Sequence, residues 1–312
     1  MITDNRTLTV TKSGDVDLAA LAAGGLLPPA YSKQFFMRLI EKAKLLQLAT
    51  VIPMGSYLHD LPAMKFDGWF LQAGAEGTAL GYGDTTTPTF TSPRLAAKLF
   101  RGLLPITEEA LEDNIQRNTL LPYIMAKLPD VAARDLERII VNSVASGVAG
   151  VPQLSLLDGM LAQLTTNPYN GGSEVINQEQ LEGMLAVLAN EYKQDVSDMA
   201  YLVNIQAERT YRKGLAQRNT VAGDRYLLEN VPVLCGGIPL VGIAAMDFLS
   251  ANVAKAILGR PKDLNVGFWR EIKLKLFEEP KAGKFWVACS LRFDCKYQDE
   301  AGWVIGSNIL RA

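Results

Sequence analysis

The chain has 312 residues, of which 48% are hydrophobic, 21% charged and 8% aromatic, with 26 glycines and 15 prolines. This balance excludes a disordered or fibrous chain, and the length suits about two domains, or one with long excursions, around a core that needs no covalent staple. A formal charge of −2, from 31 basic and 33 acidic residues, lacks the basic excess of tight phosphate neutralisation, so sequence-specific nucleic-acid reading is disfavoured.

Three cysteines, Cys235, Cys289 and Cys295, form no C-x-x-C pair, which argues against an oxidised secreted scaffold and against a zinc knuckle. The longest uncharged run, 139–157, carries Asn142, Ser143, Ser146, Gly147, Gly150, Pro152 and Gln153 and is too polar and broken for a membrane helix. The apolar stretch 18–30 follows Asp15 and Asp17 and is interrupted by Gly24, Gly25, Pro28 and Pro29, unlike a signal peptide. A cytosol-like compartment and no membrane contact are expected.

Residues 1–30 are polar and then small, with few bulky side chains, and read as an arm that takes its order from a neighbour. Over 32–48, Phe35, Phe36, Leu39, Ile40, Ala43, Leu45 and Leu46 recur near helical spacing between charged residues, which predicts one amphipathic helix.

Between 53 and 105, Gly55, Gly68, Gly74, Gly77, Gly81 and Gly83 and a threonine- and proline-rich run punctuate strand candidates at 63–71 and 96–104. The aromatics Phe66, Trp69, Phe70, Tyr82 and Phe90 fall in this hairpin-like segment. It has little core of its own, so these side chains are expected to meet another protein surface.

Thr107 followed by Glu108 and Glu109 is a helix-start signal. A longer helix is predicted after Pro122 from Ile124, Met125, Leu128, Val131, Ala132, Leu136, Ile139, Ile140 and Val144, with Pro129 kinking it or opening its main portion. A helix around 181–188, a strand at 199–204 and a helix at 207–215 imply a mixed sheet. Glycine and proline break 231–243, and a short helix followed by a strand is read over 247–258. Near the end, Ile272, Leu274 and Leu276 interleave with lysines, and Leu291, Phe293, Cys295 and Tyr297 with polar residues, as in half-buried antiparallel strands.

Chemical motifs are sparse. His59 is the single histidine and reads as a surface or hinge residue, and neither phosphate loop, nucleophile elbow, zinc-protease motif nor dinucleotide fingerprint occurs. Glu108, Glu109, Glu112 and Asp113 share a helix face, but first-turn acids follow from the helix dipole without any metal. Lys98 and Arg101 flank Leu99 and Phe100 on a strand, as do Lys273 and Lys275 their own apolar neighbours; such rows are solvated or meet a neighbouring subunit or an enclosed polyanion. No catalytic, cofactor or metal site is assigned.

Taken in order, the segments resemble the major capsid protein of tailed bacteriophages, the HK97-like fold. The residues that carry the resemblance are Ala97-Lys98-Leu99, Ile106-Thr107-Glu108-Glu109-Ala110-Leu111-Glu112-Asp113 and Ala132-Ala133-Arg134-Asp135-Leu136-Glu137-Arg138. To these are added Asp224-Arg225-Tyr226-Leu227-Leu228, Gly237-Ile238-Pro239-Leu240-Val241, and the stretch from Asn265-Val266-Gly267-Phe268 through Ile272, Phe285, Arg292 and Asp294 to Trp303. The run Ser146-Gly147-Val148-Ala149-Gly150 departs from the family's usual turn.

The resemblance implies an α+β shell subunit: an N-terminal arm and helix (1–52), an extended β-hairpin loop with flanking strands (53–104), a peripheral domain with a long spine helix (105–175), a mixed α/β axial domain (176–270) and closing strands of the peripheral domain (271–312). It further implies a non-enzymatic subunit that builds pentamers and hexamers of an icosahedral or prolate head around double-stranded DNA, with no cofactor. Partners would be its own copies, a portal, a separate scaffolding protein and decoration proteins, with weak non-specific contact to packaged DNA. Assembly in the host cytoplasm and residence in the virion follow.

The chain begins at Met1 without a long charged helical prefix, so scaffolding is expected from a separate protein or from the arm. Phe66, Trp69, Phe70, Tyr82, Phe90, Lys98 and Arg101 are the expected inter-subunit contacts. Some relatives join a loop lysine to a neighbour's asparagine; Lys65 and Asn308 are the residues such a bond would use here, but neither sits in a matching motif, and no crosslink is expected. An encapsulin-type nanocompartment shell and an α/β enzyme with an unrecognised site are the alternatives.

Overall fold

A computed structural model describes residues 29–66, 71, 76–77, 87–107, 109, 120–148, 150–194, 196–217, 232–247, 253–269 and 273–310. The arm 1–28, Trp69, Phe70, Tyr82, Glu108, Glu112, Asp113 and 224–228 lie outside them. The chain divides into two units: a smaller one of Met1–Leu39, Phe100–Ala132 and Glu271–Ser290, and a larger one of Ile40–Leu99, Ala133–Arg270 and Leu291–Ala312.

The helix expected over 32–48 is two helices, α1 (Pro29–Lys42) and α2 (Lys44–Leu48). Ala43 between them is extended, with φ −83° and ψ 101°. The second helix restarts because Glu137, far along the chain, accepts the backbone N–H of Leu45 at 2.8 Å, an external substitute for the missing capping side chain.

Among its described residues the hairpin-rich region supplies five short strands: β1 (Thr50–Met54), β2 (Leu58–Asp60), β3 (Ala63–Phe66), β4 (Pro88–Thr91) and β5 (Arg94–Ala96). Next come β6 (Lys98–Thr107), in which Thr107 is the last strand residue, and the long helix α3 (Leu120–Asn142). Its 23 residues give a rod of about 35 Å. Pro129 lies inside the helix and does not open it.

Past the long helix, the chain forms α4 (Met160–Gln163), β7 (Pro168–Val175), α5 (Gln178–Val187), β8 (Ala200–Val203), α6 (Ile205–Ala216), β9 (Leu234–Cys235) and β10 (Ile238–Gly242). The remaining strands are β11 (Val253–Gly259), β12 (Leu264–Trp269), β13 (Lys273–Glu279), β14 (Lys284–Tyr297) and β15 (Val304–Leu310). The break expected at 231–243 is a β9–β10 hairpin whose two-residue turn, Gly236-Gly237, has φ of 57° and 85°. Glycine adopts two such angles in succession at no steric cost.

In the larger unit, a six-stranded sheet runs β7-β15-β11-β8-β10-β9. It mixes parallel pairs, β15 with β7 and β10 with β8, with antiparallel ones. Leu181, Met184 and Leu188 from the α5 region and Ala207, Tyr211 and Leu215 of α6 close its core over Tyr201, Val203, Leu240, Leu258 and Val304. The Tyr201 hydroxyl donates to the Leu181 carbonyl at 2.8 Å, fastening α5 to the sheet.

Residues 304–310, within the expected closing strands of 271–312, form the strand between β11 and β7 in this sheet, and 168–175 lie at its edge. Burial decides this: the inward residues of β15, Val304 and Ile309, fill the α5/α6 core. The same unit contains β1, parallel to β12, which pairs antiparallel with 293–297 of β14.

In the smaller unit, β13 pairs antiparallel with 284–290 of β14. Leu276 and Val287 face Ile106 of β6, with Ile124, Leu128 and Phe285 packed against them. The lysine/leucine alternation of β13 has one buried face, Leu274 and Leu276, and one exposed face, Lys273, Lys275 and Phe277.

Candidate functional site, the subunit contact surface

The extended loop is rooted firmly and exposed further out. Its root is a small apolar cluster of Met54, Leu61, Leu95 and Ala97, with Ile52 and Trp269 packed against it. Trp269 holds two further groups: the Tyr57 ring edge-on at 5.7 Å and the Arg292 guanidinium at 4.7 Å from the ring centroid. Gly267 opposes this cluster, and a Cβ there would stand 2.6 Å from Met54 Sδ and 2.8 Å from Leu95 Cδ1. The close approach of the root to β12 therefore favours glycine, since any larger residue would have to push the Met54 and Leu95 side chains aside.

A buried carboxylate finishes the anchor. Asp294 accepts the backbone N–H of Ala96 at 2.7 Å and of Cys295 at 2.9 Å. Burial pushes its carboxyl above the ordinary range, only partly opposed by those two N–H groups and by Lys296 and Lys98. Across the two-stranded β2–β5 sheet, Arg94 Nε donates to Asp60 Oδ1 at 2.6 Å, and the guanidinium holds the exposed Asp60 carboxyl below its usual value.

Beyond the root, β3 and β4 form a two-stranded hairpin outside the larger sheets. Met64 and Phe90 stand opposite each other in its register, 56% and 73% exposed. Leu71 is 81% exposed. A two-stranded ribbon with an apolar cross-strand pair in water is marginal alone and gains from a covering surface.

Of the sequence-derived contacts, Phe90 lies on this apolar face, the backbone of Phe66 pairs with Pro88, and Lys98 is half-buried and Arg101 exposed on β6. Trp69, Phe70 and Tyr82 lie outside the described residues. Lys65 places its ammonium 5.8 Å from the Tyr192 ring centroid. Asn308, exposed at φ 54°, donates to Asn170 Oδ1 at 3.1 Å. His59 sits on β2 opposite Leu95.

Sequence reasoning missed Met64 and a second exposed apolar feature. Phe277, 44% exposed, stacks on Trp286 at 6.3 Å with 13° between planes, and Trp286 Nε1 donates to Glu279 at 2.9 Å. The available signal was phase: Phe277 falls in step with Lys273 and Lys275, on the solvent side of β13. Among the described residues, no group of three or more His, Cys, Asp or Glu side chains could hold a metal, and no helix is long and apolar enough to cross a membrane.

A long helix, a large mixed sheet capped by two helices and an extended hairpin that keeps its apolar groups outside its own core define the class of HK97-like shell subunits. The phage capsid family matches residues 23–307, and the chain belongs to that family. Over 302 residues it is 24% identical to the putative prophage capsid protein YqbE of Bacillus subtilis strain 168, covering 95% of this chain and 96% of the relative.

Among solved structures, it is similar to the subunit of the satellite phage P4 procapsid that includes the size determination protein, with a TM-score of 0.62, 13% identity and coverage of 94% and 95%. It is also similar to the SrpI encapsulin of Synechococcus elongatus PCC 7942, with a TM-score of 0.60, 9% identity and coverage of 95% and 96%. The α+β HK97-like fold is thus shared by phage and encapsulin shells. This chain is a structural major capsid protein and a component of a virion.

Proposed function

We propose that the subunit self-assembles through pentamers and hexamers into an icosahedral or prolate head that encloses double-stranded DNA, and that it acts without catalysis. The observation that carries this reading is the β3–β4 hairpin, which presents Met64 and Phe90 to solvent on a well-anchored root. Such a surface has a use where a second copy covers it. Phe66, Trp69, Phe70, Tyr82 and Phe90 with Lys98 and Arg101 are its proposed contacts.

In domain terms, the six-stranded sheet with α5 and α6 serves as the axial domain. The long helix with 105–119 and 271–290 serves as the peripheral domain, 53–104 as the loop and 1–52 as the arm and first helices. Portal, scaffolding and decoration proteins are the proposed partners, DNA is touched weakly, and assembly takes place in the host cytoplasm. Lys65 and Asn308 stay uncrosslinked, so denatured shells should return single chains by intact mass.

Negative-stain electron microscopy with light scattering on the chain expressed alone tests the proposal. Closed shells, or regular pentamers and hexamers, are expected. A compact monomer at every concentration, persisting when a scaffolding protein is co-expressed, would overturn it. The likeness to the SrpI shell favours a second reading, a nanocompartment; purified shells filled with protein cargo rather than nucleic acid would select it.

A further inference from the structure

A cavity of about 570 Å³ opens in the larger unit between the α1–α2 junction, α3, α6 and the end of β10, lined by Lys42, Lys44, Glu137, Glu208, Arg209 and Arg212 with Ile205, Gly242 and Ala244. Its volume is that of a small-ligand site. Among the described residues the lining carries four cations and two carboxylates, on a chain whose net charge is −2.

Both carboxylates are engaged by the protein itself. Glu137 takes the Leu45 N–H at 2.8 Å and is further held by the Lys44 backbone. Glu208 lies 3.6 Å from Arg212 on the next turn of α6 and packs against Gly242, where a Cβ would collide with its Oε2. The exposed Lys44 donates its ammonium to the Gly242 carbonyl at 2.9 Å. Arg209 and Arg212, three residues apart, share one face of α6.

We propose that this cavity is a recognition site for phosphoryl groups, taken either from a nucleic-acid backbone or from a free polyphosphate. Guanidinium forks match phosphate oxygens two at a time, and the lysines add point charge. Among the described residues the lining offers no aromatic ring on which a base could stack, which favours recognition of phosphate over sequence. Among the described residues Ile205 and Ala244 are its only apolar side chains, too few to anchor an acidic peptide through hydrophobic contacts. The site gives a weakly acidic shell subunit one defined place to touch its surroundings electrostatically.

The test uses the full-length chain, titrated at low salt with sodium tripolyphosphate, with a duplex DNA of arbitrary sequence and with poly-L-glutamate. Arg209→Ala and Lys42→Ala change exposed residues and should keep the native circular dichroism spectrum, and Arg209→Glu supplies a stronger variant. Each alanine variant is expected to weaken tripolyphosphate binding by about tenfold, while Arg134→Ala, an exposed cation outside the cavity, changes nothing.

If the source is nucleic acid, the salt slope for the duplex also falls by about 1 per removed cation; an unchanged slope assigns the site to free polyphosphate. Tripolyphosphate binding that is absent, or equal in wild type and Arg209→Glu, overturns the proposal. Poly-L-glutamate binding tighter than tripolyphosphate overturns it in favour of an acidic polypeptide. The readout is binding to the subunit, so it fails or succeeds independently of shell assembly.

Discussion

Asp294 ties the loop to the sheet: one carboxylate oxygen accepts the N–H of Ala96 at 2.7 Å while the other takes the N–H of its own neighbour, Cys295. Removing it strands two N–H groups in a buried site. Asp294→Ala should therefore cost about 1–3 kcal/mol in denaturant unfolding. Asp294→Asn keeps one acceptor oxygen and should fall between wild type and alanine.

The same carboxylate sets a pH signature. Burial raises its folded pKa above the unfolded value of 3.8, so the native state binds the proton more tightly. The group's contribution is then fully present below the unfolded pKa and is lost as pH rises through the raised folded pKa. Measured from the acidic range towards neutrality, wild type should lose stability relative to Asp294→Asn. A flat difference across that range would remove burial as the dominant influence on Asp294.

Gly267→Ala probes the approach of β12 to the loop root. The added methyl meets Met54 Sδ and Leu95 Cδ1, the outer parts of side chains that can shift only within a filled cluster. The expected loss is about 1–3 kcal/mol, with faster proteolytic cleavage in the 53–104 loop. Unchanged melting and unchanged cleavage would show that the cluster accommodates the methyl freely.

Parts of this architecture were legible because their physics is local. The alternation of β13 records one dry face and one wet face, and the apolar stripe of α3 records one buried side; the second half of β14 alternates as well, but Asp294 on its polar side is itself buried. The break at Ala43 left no local mark, because the group that restarts the helix, Glu137, is 92 residues from Leu45. Strand β1 contains Pro53 and pairs in parallel with residues more than two hundred positions away, so neither composition nor neighbours announce it. At the surface, Phe90 was visible as an aromatic among threonines, whereas Met64, in an ordinary apolar stretch, was not.

Leu136 and Glu137 are adjacent on α3 and both buried, yet they should respond differently. Leu136→Ala removes core volume and should cost about 2–5 kcal/mol, reducing soluble yield. Glu137→Gln keeps an oxygen for the Leu45 N–H and removes a carboxylate whose pKa is raised chiefly by burial. It should be close to neutral near pH 7, and Glu137→Ala should be clearly worse than glutamine. Equal losses for the two Glu137 variants in urea unfolding would mean that the hydrogen bond to α2 contributes nothing.

The exposed pair on the hairpin separates folding from assembly. Met64 and Phe90 face solvent opposite each other, so replacing both with serine should shift subunit stability by no more than about 0.5 kcal/mol. If a second copy covers them in the shell, the same change removes apolar area at an interface and lowers affinity. Light scattering should then show fewer closed shells and more free subunits or small oligomers, with the circular dichroism spectrum unchanged. Adding Phe277→Ser tests whether the stacked Phe277–Trp286 pair is a second covered patch: a further drop in shell yield without loss of fold supports that role, and an unchanged yield leaves the hairpin as the contact that matters.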